Sequence, residues 1–380
     1  MTKHPPSPLF SSPKRLRGGY DDEYFEPEED LYDDAPLPPE EMDDFVSSTP
    51  AAVVVDTSKY TRPPVTHTDC NKDLNLQWLD IDTISGQPLK SNPSGKKLLG
   101  ATEGSCPIIR IYGVNEDGNS VAVFIHGFTA YSYFALPRGC TLNDSDDNMG
   151  KIRGMIEECL KAKLGNQGKD QQCCLGVQYV TNKSSIMGYD PSHTNFIKVY
   201  VSLPGMVPKL KSVMEDGLNL PGVVHGNGND VNDTILLSPY ECNVPYVMRY
   251  MIDFDITGAS WLTLPKGSYA LRTAEGEKGT WCQIEADIVF NEIVPRKPEG
   301  EWSKVAPLRI LSFDIECQGR KGHFPEAEHD PVIQIANSLS VYGKEGEVFQ
   351  VRISFELDSC HAFIAILTEF YYSNFRMCLH

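Results

Sequence analysis

An alternation of apolar and polar residues is the feature that most constrains the fold of this chain, and it is clearest in Cys282–Phe290. Every second residue of this segment is apolar, whereas Gln283, Glu285 and Asp287 occupy the positions between. A period of two residues is that of a β-strand with one buried face. We therefore predict a strand here, with its apolar side in the core.

Helical spacing is confined to a few segments. Apolar residues recur every three or four positions in Asn148–Leu164, which predicts a helix capped by Asp147 and ended by Gly165. Met206–Asp216 predicts a second, shorter helix. Tyr246–Phe254 is almost continuously apolar and fits either a helix or a strand.

Other apolar runs predict strands. Pro107–Val114 and Val121–Phe128 are separated by a short polar segment with a glycine, which indicates a hairpin. Cys174–Thr181 and Phe196–Leu203 predict two more strands. Residues 74–295 are therefore expected to form a mixed, strand-rich α+β domain.

The histidines of this domain stand apart in the sequence. His126, His193 and His225 have no neighbour at the spacing of a metal site or a catalytic triad. Such residues are usually packed or solvated side chains. The glycine-rich stretch 225–230 lacks the flanking residues of a phosphate-binding loop and is expected to be a surface loop.

Residues 1–60 have the composition of a disordered tail, rich in proline and acid. Between Asp21 and Asp44 there are thirteen acidic residues and no Lys or Arg. Ahead of this run Lys14, Arg15 and Arg17 form a basic cluster. The basic cluster is either a nuclear import signal or three charges in a flexible arm.

The acidic run dominates the overall charge. Without it the formal net charge of -18 would fall to about -5, so the acidic balance does not exclude a nucleic-acid partner. No stretch approaches the 18 consecutive apolar residues of a membrane span, and the first 30 residues contain no secretory signal. The 11 scattered cysteines are expected to be reduced thiols of an intracellular protein.

Two carboxylates, Asp314 and Glu316, lie near the end of another strand pattern, Leu308–Cys317. In a strand they share one face, and the opposite face is expected to be a core face made of Leu311, Phe313, Ile315 and Cys317. Neighbouring carboxylates repel each other unless a cation lies between them. The pattern indicates either a Mg²⁺ or Mn²⁺ site or two solvated acids at a strand end.

The residues around these acids carry a resemblance. The string LSFDIECQGRKGHFPEAEHDPVIQI, residues 311–335, resembles the first exonuclease motif of family B DNA polymerases, the delta type in particular. Further stretches are similar to the N-terminal region of that family: Lys14–Gly19, Phe124–Phe128, Ser185–Tyr189, Trp261–Pro265 and Gly267–Leu271. The similarity extends from the N-terminal arm to about Ser359.

The resemblance implies a domain order. A tail, residues 1–60, precedes a polymerase N-terminal domain, residues 74–295, and a linker at 295–300. The start of an RNase H-like α/β exonuclease fold follows at 305–358, and a divergent apolar tail occupies 361–380.

It also implies a function. Asp314 and Glu316 would be catalytic metal ligands for Mg²⁺ or Mn²⁺ in a 3'-5' proofreading exonuclease. The enzyme would be a DNA-directed DNA polymerase, a nucleotidyltransferase, acting on primer-template and single-stranded DNA in the nucleus. Accessory subunits and a sliding clamp would be its protein partners, and no membrane is involved.

The sequence departs from the family pattern by omission. It contains no polymerase palm motif, no later exonuclease acids, and none of the family's C-terminal cysteine modules for iron-sulfur or zinc. Two functions remain open: the N-terminal part of a replicative polymerase, or a non-catalytic isoform that binds single-stranded DNA or partner proteins. A third, an independent metal nuclease, is disfavoured by the missing acids.

Overall fold

The computed structural model describes residues 62–354 except 97–99, 102, 166–170, 182–194, 232, 321, 327–328 and 344–347. Several predicted features lie outside the described residues: the tail at 1–60, the basic cluster, His193, Ser185–Tyr189 and the tail at 361–380. Every described residue belongs to one compact unit, Thr57–His380.

The described residues form sixteen strands and three α-helices. The strands are β1 Leu74–Gly86, β2 Cys106–Asn115, β3 Ser120–His126, β4 Ala130–Ala135, β5 Cys140–Leu142, β6 Cys174–Val180, β7 Phe196–Val201, β8 Val223–His225, β9 Ser238–Tyr240, β10 Trp261–Leu264, β11 Tyr269–Leu271, β12 Ile284–Val289, β13 Val294–Pro295, β14 Arg309–Cys317, β15 Val332–Val341 and β16 Val348–Ser354. The helices are α1 Asp146–Leu164, α2 Val207–Asp216 and α3 Tyr246–Asp253. The expected strand-rich mixed architecture is confirmed.

The largest sheet has seven strands in the order β11-β12-β3-β2-β1-β10-β13. β2 and β3 form the predicted hairpin, and the Asn115 side chain closes its turn by accepting the N–H groups of Asp117 and Asn119. Gly118 takes a positive φ of 82° in this turn, which suits a residue without a Cβ. β12 pairs parallel with β3, whereas the other pairs of this sheet are antiparallel.

A second sheet, in the order β6-β7-β4-β9, carries α1 and α2 on one face. Ile152, Ile156 and Leu160 of α1 are fully buried, as the helical spacing predicts. The predicted cap Asp147 is wrong, because the Ser145 side chain accepts the N–H of Asn148 and the helix begins two residues earlier than expected.

The opposite face of the second sheet packs against the core of the large sheet. Tyr131, Tyr133 and Phe196 lie on this side and belong to the same apolar cluster as the large sheet's inner residues. Tyr246–Asp253 is helical, which settles the ambiguity of that segment, and Tyr250 of α3 is completely buried in the cluster. The two sheets and α3 therefore share one core.

The segment after β13 also packs on the large sheet. Trp302 lies beside Trp261, with ring centroids 6.0 Å apart, and the Trp261 indole donates to the carbonyl of Lys304. Ala306 is 1% exposed, and its N–H donates to the side chain of Gln77 at 2.7 Å. These contacts fix the start of β14 against β1 and β10.

Candidate metal centre

The two predicted carboxylates lie on an edge strand. β14, β15 and β16 form a separate antiparallel sheet in that order, and Asp314 and Glu316 stand opposite Ala336 and Gln334 of β15. Successive side chains alternate across a strand, so the two acids share one face, and their Cα atoms are about 7 Å apart. The predicted strand and the predicted pairing of the acids on one face are both present.

Both acidic side chains are exposed. Asp314 accepts one hydrogen bond, at 3.0 Å, from the backbone N–H of the next residue, Ile315. The pairing shifts register between Glu316 and Cys317, so an irregularity ends the regular ladder directly after the second acid. Exposure and proximity leave these carboxylate oxygens accessible to a hard cation, which binds oxygen ligands.

The expected core face of this strand is not buried. Phe313 is 61% exposed and Ile315 is 45% exposed, whereas Leu311 and Cys317 are partly buried. The prediction that these residues form a core face is wrong for the part of the chain that the structure describes. A sheet of three strands buries a face only where a second layer packs on it, and none of the described elements covers this one.

A polar clamp that the sequence reasoning missed shapes the loop after β14. The Asp330 side chain is buried and accepts the backbone N–H groups of Arg320 and Glu326 at 3.0 and 2.7 Å. The Arg320 guanidinium forms ion pairs with the side chains of Glu326 and Asp330. Donation from the Glu326 N–H outweighs burial and, together with Arg320, holds the pKa of Asp330 below its usual range. These hydrogen bonds tie together the described residues of the loop between Glu316 and β15.

The donor chemistry of Asp314 and Glu316 fits Mg²⁺ or Mn²⁺, because both side chains offer oxygen and their mutual repulsion falls when a cation binds. Two carboxylates are fewer than a two-metal site requires. Across the described ranges, no group of three or more His, Cys, Asp or Glu side chains is positioned to hold one metal ion. The pair can therefore form one side of a metal site.

A second charged group, made of His126, Asp287 and Arg272, was not predicted because its residues are distant in sequence. The Nε2 atom of His126 lies 2.6 Å from Oδ1 of Asp287, which Arg272 holds from the other side. His126 is a packed side chain, as expected, but its pairing with a carboxylate was not predicted. The parallel pairing of β3 with β12 brings the two residues together, and no local signal in the sequence indicates that pairing.

Within the described residues, no helix combines the length and the apolar character needed to cross a bilayer.

Comparison with known proteins identifies two segments. The family described as DNA polymerase family B, exonuclease domain, matches residues 237–366. The family described as DNA polymerase delta catalytic subunit-like, N-terminal domain, matches residues 129–208. The first match begins before β9 and includes Asp314 and Glu316.

Similar full-length sequences agree with these matches. DNA polymerase delta catalytic subunits from Arabidopsis thaliana, Glycine max and Drosophila melanogaster are 34%, 37% and 35% identical over 362, 312 and 308 residues. These alignments cover 94%, 81% and 80% of this chain but 30%, 26% and 26% of the relatives, so the chain spans a quarter to a third of their length. A solved family B DNA polymerase from Pyrobaculum calidifontis aligns with 78% of this chain and 29% of its own, with a TM-score of 0.46 and 22% identity.

The matched domains place the chain among the family B DNA polymerases. Within that class it carries the N-terminal domain of the delta catalytic subunits, which is also the name of the relatives above. The resemblance inferred from the motif around Asp314 is thereby confirmed.

Proposed function

We propose that this chain provides the N-terminal domain and the first metal-binding motif of a delta-type DNA-directed DNA polymerase with 3'-5' proofreading exonuclease. The observation that carries the proposal is the exposed pair Asp314 and Glu316 at the end of β14, within the segment that matches the exonuclease domain. The antiparallel β14-β15-β16 meander supports the start of an RNase H-like fold.

Asp314 and Glu316 would hold Mg²⁺ or Mn²⁺ at this edge. An ion bound there would supply the activation of a water and the stabilisation of the leaving oxygen of a phosphodiester. The two carboxylates would supply the ligand charge, and the hydrogen bonds among Arg320, Glu326 and Asp330 tie together the described residues of the adjoining loop.

The remaining parts of the proposal follow from the family. The substrates are primer-template and single-stranded DNA in nuclear replication and repair, and accessory subunits and a sliding clamp are the protein partners. The basic cluster would direct nuclear import. Since two-metal hydrolysis needs several converging carboxylates, we expect the 380-residue chain alone to have neither polymerase nor appreciable exonuclease activity.

A chimaera tests the catalytic role. Residues 62–354 replace the aligned segment of the Drosophila relative, and excision of a labelled 3'-mismatched primer is measured with Mg²⁺. We expect excision by the chimaera and its loss in Asp314→Asn and Glu316→Gln, because each change removes a ligand charge. DNA polymerisation by the chimaera and by each variant is measured in parallel and shows whether the protein is folded.

The matched control is Asp144→Asn, which neutralises an exposed acid outside β14 and should leave excision unchanged. Excision that persists in both ligand variants would exclude the proposed role of this pair.

A further inference from the structure

An open groove of about 700 Å³ lies between α1 and residues 219–231, a segment that includes β8. One face of α1 forms the first wall, because Lys151, Gly154, Met155 and Glu158 are spaced three or four positions apart. Residues 219–223 with Asp230 and its neighbour form the second wall. None of the described lining residues belongs to β14 or its loop, so the groove is separate from the candidate metal centre.

The floor of the groove is apolar. Leu220 and Val223 are buried beneath it, at 0% and 1% exposure. Met155, Pro221 and Val231 are partly buried and complete the lining. Apolar walls of this kind bind an aliphatic side chain, because its burial removes apolar surface from water.

The space above α1 depends on Gly154. A Cβ at this position would contact no other atom within 4 Å, so the groove reaches the helix backbone there. The residue lies inside a regular helix of 19 residues, where a longer side chain is a better helix former than glycine. A larger residue at 154 would therefore fill the groove without disturbing α1.

The rim of the groove is acidic. Glu158 and Asp230, one from each wall, are both exposed, and neither forms an ion pair with another residue that the structure describes. Lys151 is the one cation among the described lining residues, and Asp147 pairs with it at 2.6 Å. The two rim carboxylates are thus left without a counter-charge from the lining.

Further acids stand at one end of the groove. The N–H of Asn143 donates to the carbonyl of Gly222 at 2.8 Å, which holds the start of α1 against the second wall. Asp144 and Asp146 follow directly and are exposed. This charge repels phosphate and attracts Lys or Arg side chains, so it disfavours a nucleic acid as the occupant and favours a basic protein segment.

We propose that the groove binds a short basic segment of a partner protein, in which an aliphatic side chain stands between two Arg or Lys residues. The aliphatic side chain fills the space above Gly154 and packs on Met155. The flanking cations pair with Glu158 and Asp230. This inference does not depend on the metal centre or on excision.

The test is fluorescence anisotropy with the full 380-residue chain and the labelled peptide Gly-Arg-Leu-Arg-Gly. Gly-Arg-Ser-Arg-Gly lacks the aliphatic side chain, and Gly-Glu-Leu-Glu-Gly reverses the charges. We expect the serine peptide to bind about tenfold more weakly, which corresponds to the burial of one aliphatic side chain. The acidic peptide should not bind, because the rim repels it.

Two sets of variants test the groove from the protein side. Gly154→Leu fills the space and should abolish binding, whereas Gly154→Ala adds one methyl group and should retain it; circular dichroism verifies that both are folded. Glu158→Gln combined with Asp230→Asn should weaken binding several-fold and reduce its salt dependence. The matched control, Glu103→Gln with Glu299→Gln, removes two exposed acids elsewhere and should change nothing.

The proposal is overturned if the leucine peptide does not bind, if Gly154→Leu binds as the parent chain does, or if the control pair weakens binding as much as the groove pair. Replacing Lys14, Arg15 and Arg17 by Ala should leave peptide binding unchanged. Binding that appears only in that variant would overturn the assignment to a partner protein, because the chain's own basic cluster would then be the competing occupant.

Discussion

A buried ion pair offers the sharpest test of the fold. Arg249 of α3 and Glu241, the residue after β9, lie 2.7 Å apart between Nη2 and Oε2, and their side chains are 4% and 0% exposed. The guanidinium also lies 5.0 Å from the Tyr131 ring centre. The pair therefore joins α3 to the end of the second sheet, and almost none of either side chain is exposed.

Arg249→Met removes the cation while nearly preserving the side-chain volume. Breaking a buried pair by removing one partner costs about 3–5 kcal/mol, because a carboxylate remains buried without its counter-charge. With a urea m-value of about 3 kcal/mol/M, a loss of 4 kcal/mol lowers the unfolding midpoint by roughly 1.3 M.

The assay is urea unfolding of the full chain, followed by circular dichroism and tryptophan fluorescence. Glu241→Gln alone should also destabilise, whereas the double variant should be less destabilised than the two single losses together. Single losses below about 1 kcal/mol that simply add would refute the reasoning, because exposed pairs behave in that way.

Three further predictions concern pH, domain limits and import. Because the pKa of Asp287 is lowered in the folded protein, its carboxylate contributes stability above the pKa of the unfolded state, and this contribution is lost as the pH falls through the lower folded-state pKa. Asp287→Asn should flatten that part of the acid unfolding profile. An unchanged profile would contradict this prediction. Limited proteolysis should leave a fragment that ends beyond Ala306, given its buried contacts, and mass spectrometry that finds an end at Pro295 would contradict this. Replacing all three cations of the basic cluster by Ala should reduce nuclear accumulation of a fluorescent fusion, and undiminished accumulation would exclude the import signal.

The predictions that the structure confirms depended on residues that are close together in the sequence. The β2-β3 hairpin depends on a turn whose Asn115 side chain bonds within four residues, and α1 ends at Gly165, whose φ of 59° suits glycine. Both features are set by neighbours in the sequence. Ser145 and Asp147 are both good caps, so composition alone could not select between them.

Long-range pairing accounts for what the sequence did not predict. Glu285 lies on the polar side of β12 yet is 1% exposed, because it accepts the backbone N–H groups of Gly279 and Thr280. Alternation indicates which residues share a face, but not what covers that face. The same limit explains Phe313: its apolar position in β14 predicted burial, whereas burial requires a second layer of structure.

We propose above all that Asp314 and Glu316 together bind a divalent metal. Fe²⁺, which can substitute for Mg²⁺, generates hydroxyl radicals that cut the backbone near its binding site when ascorbate and peroxide are added. We expect cleavage close to residues 314–316, competition by Mg²⁺ and Mn²⁺, and loss of cleavage in the double variant Asp314→Asn, Glu316→Gln.

The control is the pair Asp144→Asn, Asp146→Asn, which removes two exposed acids at the same spacing outside a strand. We expect this control to be cut at 314–316 as the parent chain is. Cleavage at 314–316 that survives in the double variant of the strand, or an absence of cleavage there in the parent chain, would contradict the proposal.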